Sequence, residues 1–171
     1  MLGVAVVLPT SIDAENRKVI LQTCRELKEI HLPAPLGSWQ VEMLSEEPLA
    51  ETLRSKSWIG PAKRWSTVTP VLLDRFPKKK GPSAEDILRT GCRRAGLPDP
   101  ISIEHSPFSK LTGIVPVPEF CLTRHKDARP RWGVHATLEF DQQICGPVLV
   151  GAGRFFGLGL FKPDESGERI S

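Results

Sequence analysis

The sequence predicts an α+β fold, and three observations carry that expectation. Two segments repeat apolar residues at helical spacing behind a capping signal. Six others are β-branched or alternating, as strands are, and the segment order is β-α-β-β, then α, then several strands. With 40% hydrophobic and 25% charged residues in 171 positions, the composition is that of a globular chain of one or two compact units.

Gly3 to Leu8 is a β-branched run ended by Pro9 and reads as a buried strand. Thr10 and Asp13 have capping-box spacing ahead of a helical stripe of Ile20, Cys24, Leu27 and Ile30, which Pro33, Pro35 and Gly37 stop. Trp39 to Leu44 alternates as a half-buried strand, and Thr67 to Leu73 is a strand whose Pro70 marks an edge or a bulge. Ser83 and Asp86 cap a second helix with an apolar stripe through Ile87 or Leu88, Gly91 or Cys92, and Ala95. Gly96 and Pro98 close it.

Pro100 to Phe108 and Glu119 to Arg124 have strand character, with His105 continuing the apolar face of Ile101 and Ile103. Val134 to Asp141 alternates most regularly: Val134, Ala136, Leu138 and Phe140 form a core face, and His135, Thr137, Glu139 and Asp141 an open polar one. This order fits two ferredoxin-like (RRM-like) units, expected over 1–80 and 81–163, the second ending in a glycine-rich loop. A tail, 164–171, is expected to fray.

The longest apolar run without charge, Ile144 to Gly153, is too short to span a bilayer, so a soluble, cytoplasmic protein without a membrane partner is expected. Cys24, Cys92, Cys121 and Cys145 form no C-x-x-C pair, which argues against a disulfide scaffold or a zinc ribbon. Charge is uneven. Residues 1–60 hold 6 Lys and Arg against 8 Asp and Glu, whereas residues 61–131 hold 14 against 7. Such a basic half suits a polyanion, because each cation placed on a phosphate releases a counterion. It also suits a merely solvated face.

The most informative segment is Gly146 to Phe161, GPVLVGAGRFFGLGLF. Gly151, Gly153, Gly157 and Gly159 permit positive φ and close approach of a phosphodiester to backbone N–H groups, and Arg154 offers a bidentate charged contact. The alternative is a packed hairpin whose glycines serve sterics alone. Neither a dinucleotide-binding fingerprint nor a Walker motif is present.

The G-x-G-R-x-x-G-x-G ending and the β-α-β opening resemble the RAMP superfamily of CRISPR-associated proteins. Trp65 to Arg75, Gly96-Leu-Pro98, His135 to Phe140 and Gly146 to Arg154 are more closely similar to the Cas-six-like C-terminal part of the type I-G (formerly I-U) fusion of Cas-five-like and Cas-six-like parts. The resemblance implies a metal-independent, cofactor-free endoribonuclease that matures precursor transcript into guide RNA through a 2′,3′-cyclic phosphate. Its implied partners are CRISPR repeat RNA or guide RNA, the N-terminal Cas-five-like part and other effector-complex subunits. A noncatalytic guide-RNA clamp is the alternative, since such subunits share the ending.

Cleavage of that kind needs a base at the 2′-OH and an acid at the leaving 5′ oxygen, roles that suit histidine. His135 is the first candidate, for its open polar strand face. His31 is the second, closing the first helix at a place comparable to the catalytic histidine of several repeat-cleaving relatives. Against His31 stands the ordinary preference for histidine at a helix C-terminus. Phosphate contacts are expected from Arg89, Arg93 and Arg94 on the second helix, or from the loop bearing Arg124, His125, Lys126, Arg129 and Arg131. Trp132 is placed to stack on an unpaired base.

Overall fold

A computed structural model describes residues 6–8, 11–31, 37–43, 50–51, 54–78, 80–120 and 132–164. The chain forms two compact units, Met1–Arg54 and Ser55–Ser171. The boundary therefore falls well before residue 80, because the strand at 62–67 finds both its partners in the second unit.

In the first unit, α1 (Ala14–Glu26) starts at Asp13, whose carboxylate accepts from the Asn16 N–H at 2.8 Å. The helix stops at Glu26 rather than running on through Ile30, because 29–31 is drawn into a hairpin: β1 (Glu29–His31) pairs antiparallel with β2 (Ser38–Gln40), Ile30 opposite Trp39. Residues 41–43 lie beyond β2 and are not strand. Val6 to Leu8, expected in a buried strand, are not in a strand either, and Val6 and Val7 are exposed. No residue of α1 is buried.

The second unit holds the core. After the short α2 (Lys56–Ile59), β3 (Ala62–Thr67) sits centrally, between β6 (Gly133–Ile144) and β8 (Leu160–Pro163), antiparallel to both. At 68–70, around Pro70, pairing is interrupted as the proline suggests, and it resumes with β6 as β4 (Val71–Leu72). The chain then crosses over through α3 (Ala84–Arg94) to β5 (Ser102–Ser106), which pairs with β6. The order β8-β3-β6-β5, antiparallel throughout, is that of a ferredoxin-like unit, so the α+β reading holds. Its usual second helix is replaced by residues 145–159, which contain β7 (Val148–Leu149) and a 3-10 turn at Arg154–Phe156.

α3 forms as its sequence dictates. Ser83 and Asp86 make a reciprocal capping box, and Gly96 takes φ +76° just past the end. Ala84, Ile87, Leu88, Gly91 and Cys92 turn inward on Trp65, Val71, Leu138, Phe140, Val150 and Phe161. A Cβ at Gly91 would meet Val150 Cγ1 at 2.9 Å, so glycine lets the helix lie close on the chain after β7. Burial pushes the Cys92 thiol up to about 12, leaving it a protonated core group rather than a nucleophile. Trp65 is fully buried and its Nε1–H donates to the Ala62 carbonyl at 3.0 Å.

The tail expectation needs one correction. Asp164 is buried and accepts from the Ser66 hydroxyl at 2.6 Å, so the ordered chain reaches at least that far; residues 165–171 lie outside the described part. Among the described residues no helix is long and apolar enough to cross a membrane.

Candidate nucleic-acid interface

The face of the sheet opposite α3 carries a network of charge that is spent internally. Arg64 lies 3.5 Å from Glu104, 3.8 Å from Glu139 and 3.5 Å from Asp164, and Lys110 closes on Glu104 at 3.1 Å. The hydrogen bond and charge of Lys110, with Arg64 behind it, hold the Glu104 carboxyl below its ordinary range. Ser66, Thr137 and Asp164 are joined by hydrogen bonds of 2.7 and 2.6 Å.

His135, expected on this open face, is only 1% exposed. The loop after β5 covers it: Ser109 Oγ donates to the Thr67 carbonyl at 2.6 Å, and the Phe120 ring meets the imidazole edge-on at 6.2 Å. Both ring nitrogens are taken. A carbonyl only accepts, so Nε2–H donates to Val115 O at 3.0 Å. Nδ1 then accepts from Thr67 Oγ1 at 2.9 Å, and that oxygen accepts the Ala136 N–H at 2.9 Å. One neutral tautomer satisfies every group. Burial lowers the imidazole pKa, the Val115 bond opposing it. His135 is thus a satisfied core histidine with no nitrogen left for a 2′-OH.

His31 is exposed, and it lies in β1 rather than at a helix end. Its Nδ1 is 2.7 Å from Ser38 Oγ, and its Nε2 is 3.8 Å from Glu29. The hairpin register that faces His31 with Ser38 supplies this support. His105, read as core, is exposed on β5.

The α3 arginines are engaged. Arg93 forms two 2.7 Å bonds with the two oxygens of Asp99, Arg89 contacts Glu85 and the Pro100 carbonyl, and Arg94 pairs with Asp74. Replacing Arg93 by Ala is therefore expected to lower the melting temperature slightly and leave RNA affinity and its salt dependence unchanged. A shallower salt slope in a filter-binding titration would restore α3 as a phosphate contact. Arg124, His125, Lys126, Arg129 and Arg131 lie outside the described residues.

The glycine-rich segment packs on 69–72. Gly159 N–H donates to Pro70 O and Ala152 N–H to Leu72 O, both at 2.9 Å, while Thr69 Oγ1 donates to Gly157 O. The N–H groups of Val150, Arg154, Phe156, Gly157 and Leu158 also donate within the chain. Gly151 and Gly153 abut Val71, Leu72 and Leu158. The steric account thus explains Gly151, Gly153 and Gly159, and these backbone donors face inward rather than toward a phosphate. Gly157 differs: φ is +75° and a Cβ there would meet nothing within 4 Å.

What the turn offers outward is side chains. Phe155 and Phe156 are 80% and 64% exposed, and the Arg154 guanidinium sits 4.4 Å from the Phe155 ring centre. Arg154 donates to Gly151 O at 3.3 Å and, among the described residues, has no carboxylate within ion-pair distance. Charge marks Arg154 in the sequence, and the FF pair beside it in a glycine-rich turn is itself a signal of exposed rings.

Residues 10–163 match the model of the GSU0054 family of CRISPR-associated proteins. The chain belongs to that family. No curated protein and no solved structure matches it. Membership places this family member in a CRISPR system.

Proposed function

We propose that this CRISPR-associated chain is the Cas-six-like part of a type I-G fusion and that it binds repeat RNA, cleaving it into guide RNA. The observation that carries RNA binding is the glycine-rich turn, which spends Gly151, Gly153 and Gly159 on packing and presents a cation with two exposed rings. A phosphate on Arg154 and a base on Phe155 would use both, since base–aromatic stacking and charge act together on single-stranded RNA.

For cleavage, His31 is, among the described residues, the histidine whose geometry supports a catalytic role. Its imidazole is accessible, oriented by Ser38, and close to the Glu29 carboxylate. In that reaction the 2′ oxygen gives up its proton to the base and bonds to phosphorus. The P–O5′ bond breaks and O5′ takes a proton, leaving a 2′,3′-cyclic phosphate and a 5′-OH. The occupied ring of His135 favours the second reading, a noncatalytic clamp holding a guide-RNA end.

Incubation with the repeat RNA in EDTA separates the two. Cleavage that a single 2′-deoxy substitution before the scissile phosphate blocks, and that His31→Ala slows by ~10²–10⁴ with affinity held within a few-fold, is the expected result. Retention without cleavage would leave the clamp.

A further inference from the structure

A second aromatic surface lies where β4 meets the start of β6. Leu73 N–H donates to the Trp132 carbonyl at 2.9 Å, which continues the pairing of Val71 with Val134 and Leu72 with Gly133. Three residues past Leu73, Phe76 packs against Trp132 with ring centres 6.2 Å apart and planes at 80°. Each ring keeps about half its surface in water, Phe76 48% and Trp132 50%. An edge-on contact covers a face of one ring at most, so flat aromatic surface stays open.

The cations Arg75, Lys78 and Lys80 lie within four positions of Phe76 in the sequence. Among the described residues none of Arg75, Lys78 and Lys80 has a carboxylate within ion-pair distance, whereas the neighbouring Asp74 is already paired with Arg94. Two half-exposed rings with unpaired cations nearby in the sequence offer apolar area and charge that a flat anion would use together. A nucleotide has both properties: a π-face for the rings and a phosphate for the cations.

We infer that Phe76 and Trp132 form a stacking platform for one unpaired nucleotide of single-stranded RNA, its flanking phosphates held by Arg75, Lys78 and Lys80. This rests on the RNA-binding reading above and adds a contact separate from the glycine-rich turn.

Fluorescence anisotropy of a labelled oligoadenylate with the full chain tests it. Trp132→Ala and Phe76→Ala are each expected to weaken binding about ten-fold while leaving the slope of log K against log salt unchanged, because stacking releases no counterions. Trp132→Phe should recover most of the affinity. The triple variant Arg75→Ala, Lys78→Ala, Lys80→Ala should flatten the slope by about 2, at roughly 0.7 per phosphate contact on a single strand.

In parent protein, a 5-bromouridine oligonucleotide should photocrosslink to Trp132 or Phe76, a readout that stands even where a variant melts early. Alanine variants that bind like the parent, or crosslinks confined to other segments, overturn the platform. Should the parent bind the repeat hairpin but not oligoadenylate, the platform fails and the RNA reading survives; binding to neither removes both. Loss of self-association or of another subunit in place of lost RNA binding would show that the rings dock protein instead.

Discussion

Gly159→Ala is expected to destabilise the second unit severely, lowering its melting temperature by about 10–30 °C, whereas Gly157→Ala, two residues earlier, is expected to melt only a few degrees lower. At Gly159 a Cβ would fall 1.9 Å from the Val150 carbonyl oxygen, a backbone atom fixed by Val150 N–H donating to Gly159 O, and φ is +68°. Left-handed strain of ~1–3 kcal/mol and overpacking of a similar size add to about 4 kcal/mol, a large share of the 5–15 kcal/mol that holds a domain together. Gly157 has the same hand of φ and open space, so strain alone remains, about 1 kcal/mol. Thermal melts followed by circular dichroism read both. If Gly159→Ala melts like the parent, the tight hairpin described for 150–159 is wrong. Gly157→Ala also asks whether RNA needs the open spot: a folded variant that loses binding would put RNA there.

His135→Ala is expected to act on stability before it acts on any rate. Removing the ring leaves the Val115 carbonyl and the Thr67 hydroxyl without their partner and opens a cavity, a cost of about 2–4 kcal/mol by the usual magnitudes for such losses. Were the residue a general base on an open face, the same substitution would leave the melting temperature alone and cut cleavage by ~10²–10⁴.

The pH dependence makes a second check. The folded imidazole has a pKa below 6.5, so below that value the unfolded chain binds the extra proton. Its contribution is complete above pH 6.5 and is lost as pH falls toward the folded pKa, by at most about 1.4 kcal/mol per unit. The denaturation midpoint should therefore drop between pH 7 and 5 more steeply for the parent than for His135→Gln. Equal slopes would count against the buried neutral ring.

What could be read from the sequence follows from how local each determinant is. α3 was legible because its cap, stripe and stop all lie within the helix or two residues of it. The alternation of β6 was legible too, but not that both its faces are covered at His135 and Thr137. The cover comes from the loop 107–120 and from Asp164, about twenty to thirty residues away, and no periodicity reports it. Helical spacing alone carries α1 on through Ile30, while the pairing of Ile30 with Trp39 ends it from outside.

The site divides in the same way. Glycines at 151, 153 and 159 announce close approach, yet residue type alone does not say whether a ligand or Leu72 and Val150 make the approach. Charge behaves likewise: Arg89 and Arg93 count toward a basic half until Glu85 and Asp99 are found beside them.

The central place of β3 bears on how the second unit is made in the cell. Its Ser66 hydroxyl meets Thr137 71 residues on and Asp164 98 residues on, and the strand has no nearer neighbour in the sheet. Such distant pairing raises the contact order, which places folding on a scale of about milliseconds to seconds. During synthesis, β3, with the buried faces of Trp65 and Val71, leaves the ribosome long before β6 and β8 exist to cover it. α3 can form early from its own sequence, whereas β3 stays an uncovered strand on the nascent chain until the glycine-rich hairpin has been translated.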